Sequence, residues 1–252
     1  MMRIIAVVNQ KGGSGKTTTT VNLAATLAEK QRRVLIVDLD PQASATNWYA
    51  VTDAGRDLYQ LFTDGAALAS IIRPTQIDRV SLVPASAWLV GVERALAAEP
   101  GAEGILKQSL KGLSSFDYIL FDCPPSLGTL TVNALNAARE ILVPVAAEYL
   151  AVEGLAQLRK TINTVRARLN PALTYAGIVA CRVDRRTRHA LEVVELLRKS
   201  YPNAVYRTAI HENVRLSECP AHGEPITLYD TTCTGAADYR ALAVEVMTQE
   251  TK

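Results

Sequence analysis

Ile4-Ile5-Ala6-Val7-Val8-Asn9-Gln10-Lys11-Gly12-Gly13-Ser14-Gly15-Lys16-Thr17-Thr18 decides the reading of this chain. An apolar, β-branched run leads into a glycine turn, and a helix-compatible stretch from Thr18 to Lys30 follows. Strand, glycine loop and helix in that order form a cradle for nucleotide phosphates. Glycines let successive backbone N–H groups point inward, and the helix N-terminus adds partial positive charge. In such a loop Lys16 reaches the β- and γ-phosphates and the Thr17 hydroxyl sits on Mg²⁺. The usual pattern places glycine five residues before Gly15. Here that position is Gln10, and a second lysine, Lys11, opens the loop instead.

Outward from the loop, apolar runs recur at 3–8, 33–37, 80–83, 117–122, 140–145 and 175–180. They alternate with helix-like segments, among them 17–30, 88–98, 103–112, 153–169 and 189–200. This alternation predicts an α/β fold: a mostly parallel, twisted sheet with helices on both faces. Ligands of such sheets bind at the carboxyl ends of the strands. The loop follows the first strand, Asp38 and Asp40 end the second, and Asp122 ends the run at 117–122, so all three converge on one edge.

The chain has 252 residues, 48% hydrophobic and 21% charged, which fits one globular domain over 1–252. No run approaches the ~18 apolar residues of a membrane span, and Asn9 and Lys11 interrupt the first apolar stretch too early for a signal peptide. A cytoplasmic location is expected. The four cysteines, Cys123, Cys181, Cys219 and Cys233, form no C-x-x-C pair and read as reduced thiols. Net charge is only +2, yet 159–215 carries 12 Lys/Arg against 4 Asp/Glu, a basic bias suited to a polyanion.

The lysine-first loop resembles the deviant Walker A box of the ParA/Soj/MinD ATPases. Val37-Asp38-Leu39-Asp40-Pro41-Gln42 is similar to that family's second box. Leu120-Phe121-Asp122-Cys123-Pro124-Pro125-Ser126-Leu127-Gly128 is similar to its Walker B and switch region. Glu148-Tyr149, Glu153-Gly154-Leu155 and Asn213-Val214-Arg215-Leu216-Ser217-Glu218 resemble the ParA/Soj branch, and the matches run in family order from Met2 to about Tyr239.

The resemblance implies a P-loop ATPase of the deviant Walker A type that partitions DNA. It places ATP on Lys11, Gly12, Gly13, Ser14, Gly15, Lys16, Thr17, Thr18 and Asn213. Mg²⁺ falls to Thr17 and Asp122, with Asp38 supporting the metal and the loop. Asp40 would position the attacking water, Lys16 would neutralise phosphates in its own subunit, and Lys11 would reach those of a second subunit in an ATP-bound homodimer. A segment such as Pro124–Gly128 could order itself around a γ-phosphate, with Gly128 as hinge. Arg186 and Arg215 match the arginines that hold DNA non-specifically in the Soj branch, and a ParB-like centromere-binding protein would be the partner. That places the protein on the nucleoid.

No helix-turn-helix segment is expected ahead of the first strand. The last helix-like stretch, Ala236 to Lys252, lacks the basic, bulky-apolar tail that holds MinD on membranes. Cys123 stands between Asp122 and Pro124, the wrong setting for the iron–sulfur cluster of nitrogenase-related proteins. Ile210-His211-Glu212-Asn213 departs from the Ile-Pro-Arg-Asn form of the branch near the adenine. A positioner of protein cargo, a MinD-type ATPase and a metabolic P-loop ligase are the alternative readings.

Overall fold

The computed structural model describes residues 2–51, 54–148 and 151–250, with 151–153 as backbone only. In chain order, β1 (Arg3–Val7) leads through the glycine loop to α1 (Lys16–Glu29), and β2 (Val34–Asp38) to α2 (Ser44–Trp48) and α3 (Asp57–Asp64). A two-residue strand β3 (Arg73–Pro74) precedes β4 (Val80–Val83), α4 (Val92–Ala95) and α5 (Ile105–Ser109). Then come β5 (Tyr118–Asp122), α6 (Thr129–Ala137), β6 (Glu140–Ala146) and α7 (Ala151–Arg168). β7 (Thr174–Val183), α8 (Arg188–Ser200), β8 (Val205–His211), α9 (Val214–His222), α10 (Ile226–Tyr229) and α11 (Thr234–Met247) complete the chain.

The strands form one sheet in the order β3-β4-β2-β5-β1-β6-β7-β8. Every pairing is parallel except β3 with β4. Five-residue strands such as Arg3–Val7, Val34–Asp38 and Tyr118–Asp122 are buried throughout, as expected where helices cover both faces. Their side chains still alternate. Ile4, Ala6, Leu35, Val37, Ile119 and Phe121 join the core under α3 to α8. Ile5, Val7, Val34, Ile36, Tyr118 and Leu120 join the core under α1 and α11. The expected α/β fold is the one observed.

Local departures have local causes. The stretch 88–98 is not one helix: a 3₁₀ turn (Ala87–Gly91) hands over to α4 at Gly91, where a Cβ would press on the Tyr59 ring at 3.3 Å. Likewise 103–112 splits into a 3₁₀ turn (Ala102–Gly104) and α5, and the chain turns at Gly112 with φ +87°. β8 escaped the sequence reading because Arg207 and Thr208 interrupt its apolar pattern. It is an edge strand, and Glu245 of α11 accepts both of their backbone N–H groups, at 2.9 and 2.7 Å. Among the described residues, no helix is long and apolar enough to cross a membrane.

Candidate nucleotide site

Strand order builds the site. β5 lies between β2 and β1, so their carboxyl ends bring Asp38, Asp122 and the glycine loop side by side, with Asp38 and Asp122 in register. Gly15 caps α1 with φ +92°, a left-handed conformation that a side chain would strain, and its missing Cβ faces Cys181 at 3.5 Å. α1 has no side-chain cap and no acidic residue in its first turn, which leaves the helix N-terminus to an outside acceptor.

The residues present fit a polyphosphate and a hard cation. Ser14 is 1% exposed and its Oγ has no hydrogen-bond partner among the described residues. Lys16 is buried, and its Nζ reaches the Lys11 carbonyl at 3.3 Å. Burial lowers its pKa, against the pull of Asp122 and Asp40. An uncapped helix end, an orphaned buried hydroxyl and a desolvated ammonium form a donor set that lacks an anion. Thr17 donates to Asp122 Oδ2 at 2.7 Å, and the Thr20 hydroxyl is shared between Asp122 Oδ1 and the Lys16 carbonyl. A hydroxyl beside a carboxylate is oxygen chemistry suited to Mg²⁺.

Asp38 is fully buried and accepts from the backbone of Asp40 at 3.1 Å and from the backbone and hydroxyl of Thr46 at 2.9 and 2.7 Å. Burial, opposed by these bonds, raises its pKa. Burial, followed by repulsion from Asp38, raises that of Asp122. Asp38 is thus held chiefly by α2 and the turn after β2. Asp40, nearly as buried, accepts from the Gln42 N–H at 2.9 Å.

Lys11 is placed differently. Its side chain leaves the loop and pairs with Glu148, just beyond β6. Glu148 also faces Arg182 at 3.8 Å, and Arg182 faces Glu212 at 3.9 Å. Glu148 belongs to a quoted motif but carried no role in the sequence reading. Tyr149, its neighbour in that motif, lies outside the described residues, as does the Glu153 side chain.

A cavity of about 800 Å³ opens beside the loop, lined among others by Gly13, Gly15, Thr18, Arg186, His211 and Asn213. Its position next to Gly15 suits the nucleoside end of a nucleotide. His211, the departure from the branch pattern, has its Nδ1 at 2.8 Å from Asp238 Oδ2 and at 3.3 Å from Arg185. Asn213 caps α9 by accepting the Arg215 N–H at 2.9 Å and donates to Thr234 Oγ1 at 2.8 Å. A larger cavity, about 1020 Å³, lies between α3, α4 and α5 and includes no loop residue.

Arg186 and Arg215 stand on exposed segments after β7 and β8, and both are paired within the chain. Asp184 accepts from Arg186 Nε and Nη2, each at 2.9 Å, and Arg186 drives the Asp184 carboxyl down to about 2. Arg215 meets Glu218 at 3.1 Å and Asp230 at 3.6 Å. Thr20, Thr46 and Asp238 are site neighbours that no motif or spacing marks.

The AAA domain family profile matches residues 2–175. The chromosome-partitioning ATPase Soj of Thermus thermophilus is 46% identical over 246 residues, covering 98% of this chain and 96% of its own. The sporulation initiation inhibitor protein Soj of Bacillus subtilis is 44% identical over 249 residues, 98% of each chain. A crystal structure of cobyrinic acid a,c-diamide synthase from Mycobacterium smegmatis with bound ADP and magnesium superposes with a TM-score of 0.86. It is 33% identical and covers 100% of this chain and 96% of that one. With identity this high along nearly its whole length, the chain belongs to the Soj/ParA family of chromosome-partitioning ATPases.

Proposed function

We propose that this chain is an Mg²⁺-dependent ATPase that partitions DNA, cycling between a monomer and an ATP-bound homodimer. The observation that carries the reading is the convergence of Lys16, the Thr17–Asp122 pair and Asp40 on one sheet edge beside a loop whose Ser14 hydroxyl is buried and unpaired. Lys16 and the backbone of Gly12–Thr18 hold the phosphates. Thr17 and Asp122 hold Mg²⁺, which when bound spreads the charge developing on the phosphoryl oxygens. Asp38 fixes the turn that carries Asp40, and Asp40 orients the attacking water.

Lys11 exchanges Glu148 for the phosphates of the second subunit, which makes ATP part of the dimer interface. Dimerisation aligns the Arg186 and Arg215 segments of both subunits on DNA phosphates, without base readout. ATP and DNA favour the same state, so each strengthens the other. A ParB-like protein accelerates hydrolysis and release, and the protein resides on the nucleoid. Residues 1–252 act as one domain.

The 33% identity with the diamide synthase favours a second reading, a small-molecule ligase on the same loop. Light scattering and DNA retention with ATP, ADP and no nucleotide separate the two. The partition reading requires dimers and DNA retention with ATP alone. A monomer that consumes ATP only in proportion to an amidated or carboxylated product would replace it.

A further inference from the structure

We infer that Glu93 is a positioning residue for ATP hydrolysis, tying the exposed segment 87–95 to the Pro124–Gly128 segment that leaves the nucleotide site. This rests on the nucleotide site proposed above. β5 ends at Asp122, and α6 begins at Thr129. The first turn of α6 has no cap of its own, because the residue before it is Gly128. Glu93, from 36 residues upstream, fills that role: its Oε1 accepts the Thr129 N–H at 3.2 Å.

Gly128 makes room for this contact. Its backbone is extended (φ −80°, ψ −168°), so any residue could adopt it, and the hinge expected from sequence is not what requires a glycine. A Cβ there would lie 1.6 Å from Glu93 Oε1 and 2.8 Å from its Cδ. The carboxylate occupies the space that a side chain at 128 would take.

Both ends of the link have defined neighbours. On one side, Thr131 Oγ1 donates to the Ser126 carbonyl at 2.6 Å, so the start of α6 and the Pro124–Gly128 segment are tied together. On the other, Glu93 follows directly on the turn that carries Trp88 and Val90, which are 48% and 71% exposed. The Trp88 ring lies under the Arg56 guanidinium at 3.6 Å, and its centre is 6.3 Å from that of Tyr59. This turn follows β4 and so projects from the same sheet edge as the phosphate loop. If Pro124–Gly128 rearranges around a terminal phosphate, the Thr129 N–H moves against Glu93, and the Trp88 turn feels the change. The contact is solvent-exposed and so exchangeable, as a link between two states must be.

The test uses the full chain and reads three quantities: nucleotide Kd by equilibrium dialysis, steady-state kcat and KM, and the Trp88 emission, isolated as the difference between the wild type and Trp88→Phe. The wild type should show different Trp88 emission with Mg–ATP and Mg–ADP. Glu93→Ala should bind ATP within about twofold of the wild type, lose the emission difference, and fall about fivefold in kcat, the loss of one capping hydrogen bond expressed in the rate. Glu93→Gln keeps an oxygen acceptor for Thr129 and should restore both readouts. Gly128→Ala should reproduce Glu93→Ala, because its Cβ displaces the carboxylate. A purely structural cap would lower the melting temperature while leaving the emission difference and kcat intact, and that result overturns the inference. So does a wild type that hydrolyses ATP with identical Trp88 emission in both nucleotides. A wild type that binds no ATP would instead refute the nucleotide site itself, and this inference with it.

Discussion

Asp184→Asn, at a residue that lines the cavity beside the phosphate loop, should tighten DNA binding. Arg186, assigned to DNA, gives Nε and Nη2 to the two Asp184 oxygens at 2.9 Å, and its backbone N–H to Oδ1 at 3.0 Å. Arg186 holds the Asp184 carboxyl well below the usual carboxylate range, so at neutral pH the carboxylate is charged and competes with DNA for the guanidinium. A neutral amide keeps an acceptor for the backbone N–H and releases the guanidinium. In a dimer, both Arg186 side chains then meet phosphates without first giving up a carboxylate. The phosphate contacts are the same as in the wild type, so the slope of log affinity against log salt, about 0.9 per contact, should hold while affinity rises, by about twofold per subunit or about fourfold per dimer. The gain should therefore persist between 50 and 200 mM salt. Fluorescence anisotropy with a short duplex and Mg–ATP measures both numbers. Binding at 50 mM no tighter than that of the wild type would remove Arg186 from the DNA surface.

Other expectations follow from the same geometry. Lys11→Ala should bind ATP as a monomer, and normal ATP-dependent dimerisation in light scattering would contradict its reach across subunits. Asp40→Ala should bind ATP and accumulate as dimer on gel filtration, and unchanged turnover would remove Asp40 from the mechanism. Burial and the neighbouring Asp38 push the Asp122 carboxyl above the usual carboxylate range, so the folded, metal-free protein holds this proton to higher pH than the unfolded chain does. Unfolding then releases the proton, so stability should fall as pH rises above the ordinary carboxylate pKa of about 4. Asp122→Asn should flatten this part of the melting profile, and a wild-type difference of the opposite sign would refute the assignment.

The parts of the molecule with strict local demands were legible in the sequence. The glycine turn, the buried β-branched runs and the aspartates at strand ends carry their geometry in residue type and spacing. Asp38, Asp122 and Lys16 were expected on one edge because parallel strands place their carboxyl ends together, and the order β2-β5-β1 does so. Contacts between residues distant in sequence were not legible. Thr46 reaches Asp38 only because α2 folds back over the end of β2, and Glu93 reaches Thr129 only because segment 87–95 packs beside α6. Gly128 shows the limit well: its presence was visible, but a close approach and a hinge leave the same letter. Nor could spacing reveal that Lys11 meets Glu148, which stands 137 residues away.

The cations fall into two groups once their surroundings are compared. Lys16, which acts inside its own subunit, is buried, and its Nζ reaches a backbone carbonyl at hydrogen-bond distance rather than a carboxylate. Lys11, Arg186 and Arg215, assigned to anions outside the subunit, each meet a carboxylate at the surface: Glu148, Asp184, and Glu218 with Asp230. Exposed pairs of this kind contribute little and are screened by salt, so a phosphate can take the cation at small cost. The carboxylate left behind then repels the incoming phosphate unless it turns away to water. A single phosphate gains little from such an exchange, whereas several phosphates held together can replace the pairs at once. Pairing inside the subunit therefore discourages weak, one-at-a-time capture and favours the states in which a second subunit or a DNA duplex presents many phosphates together. The same argument requires that removing the carboxylates, rather than the cations, should make capture less selective, and Asp184→Asn is the simplest instance.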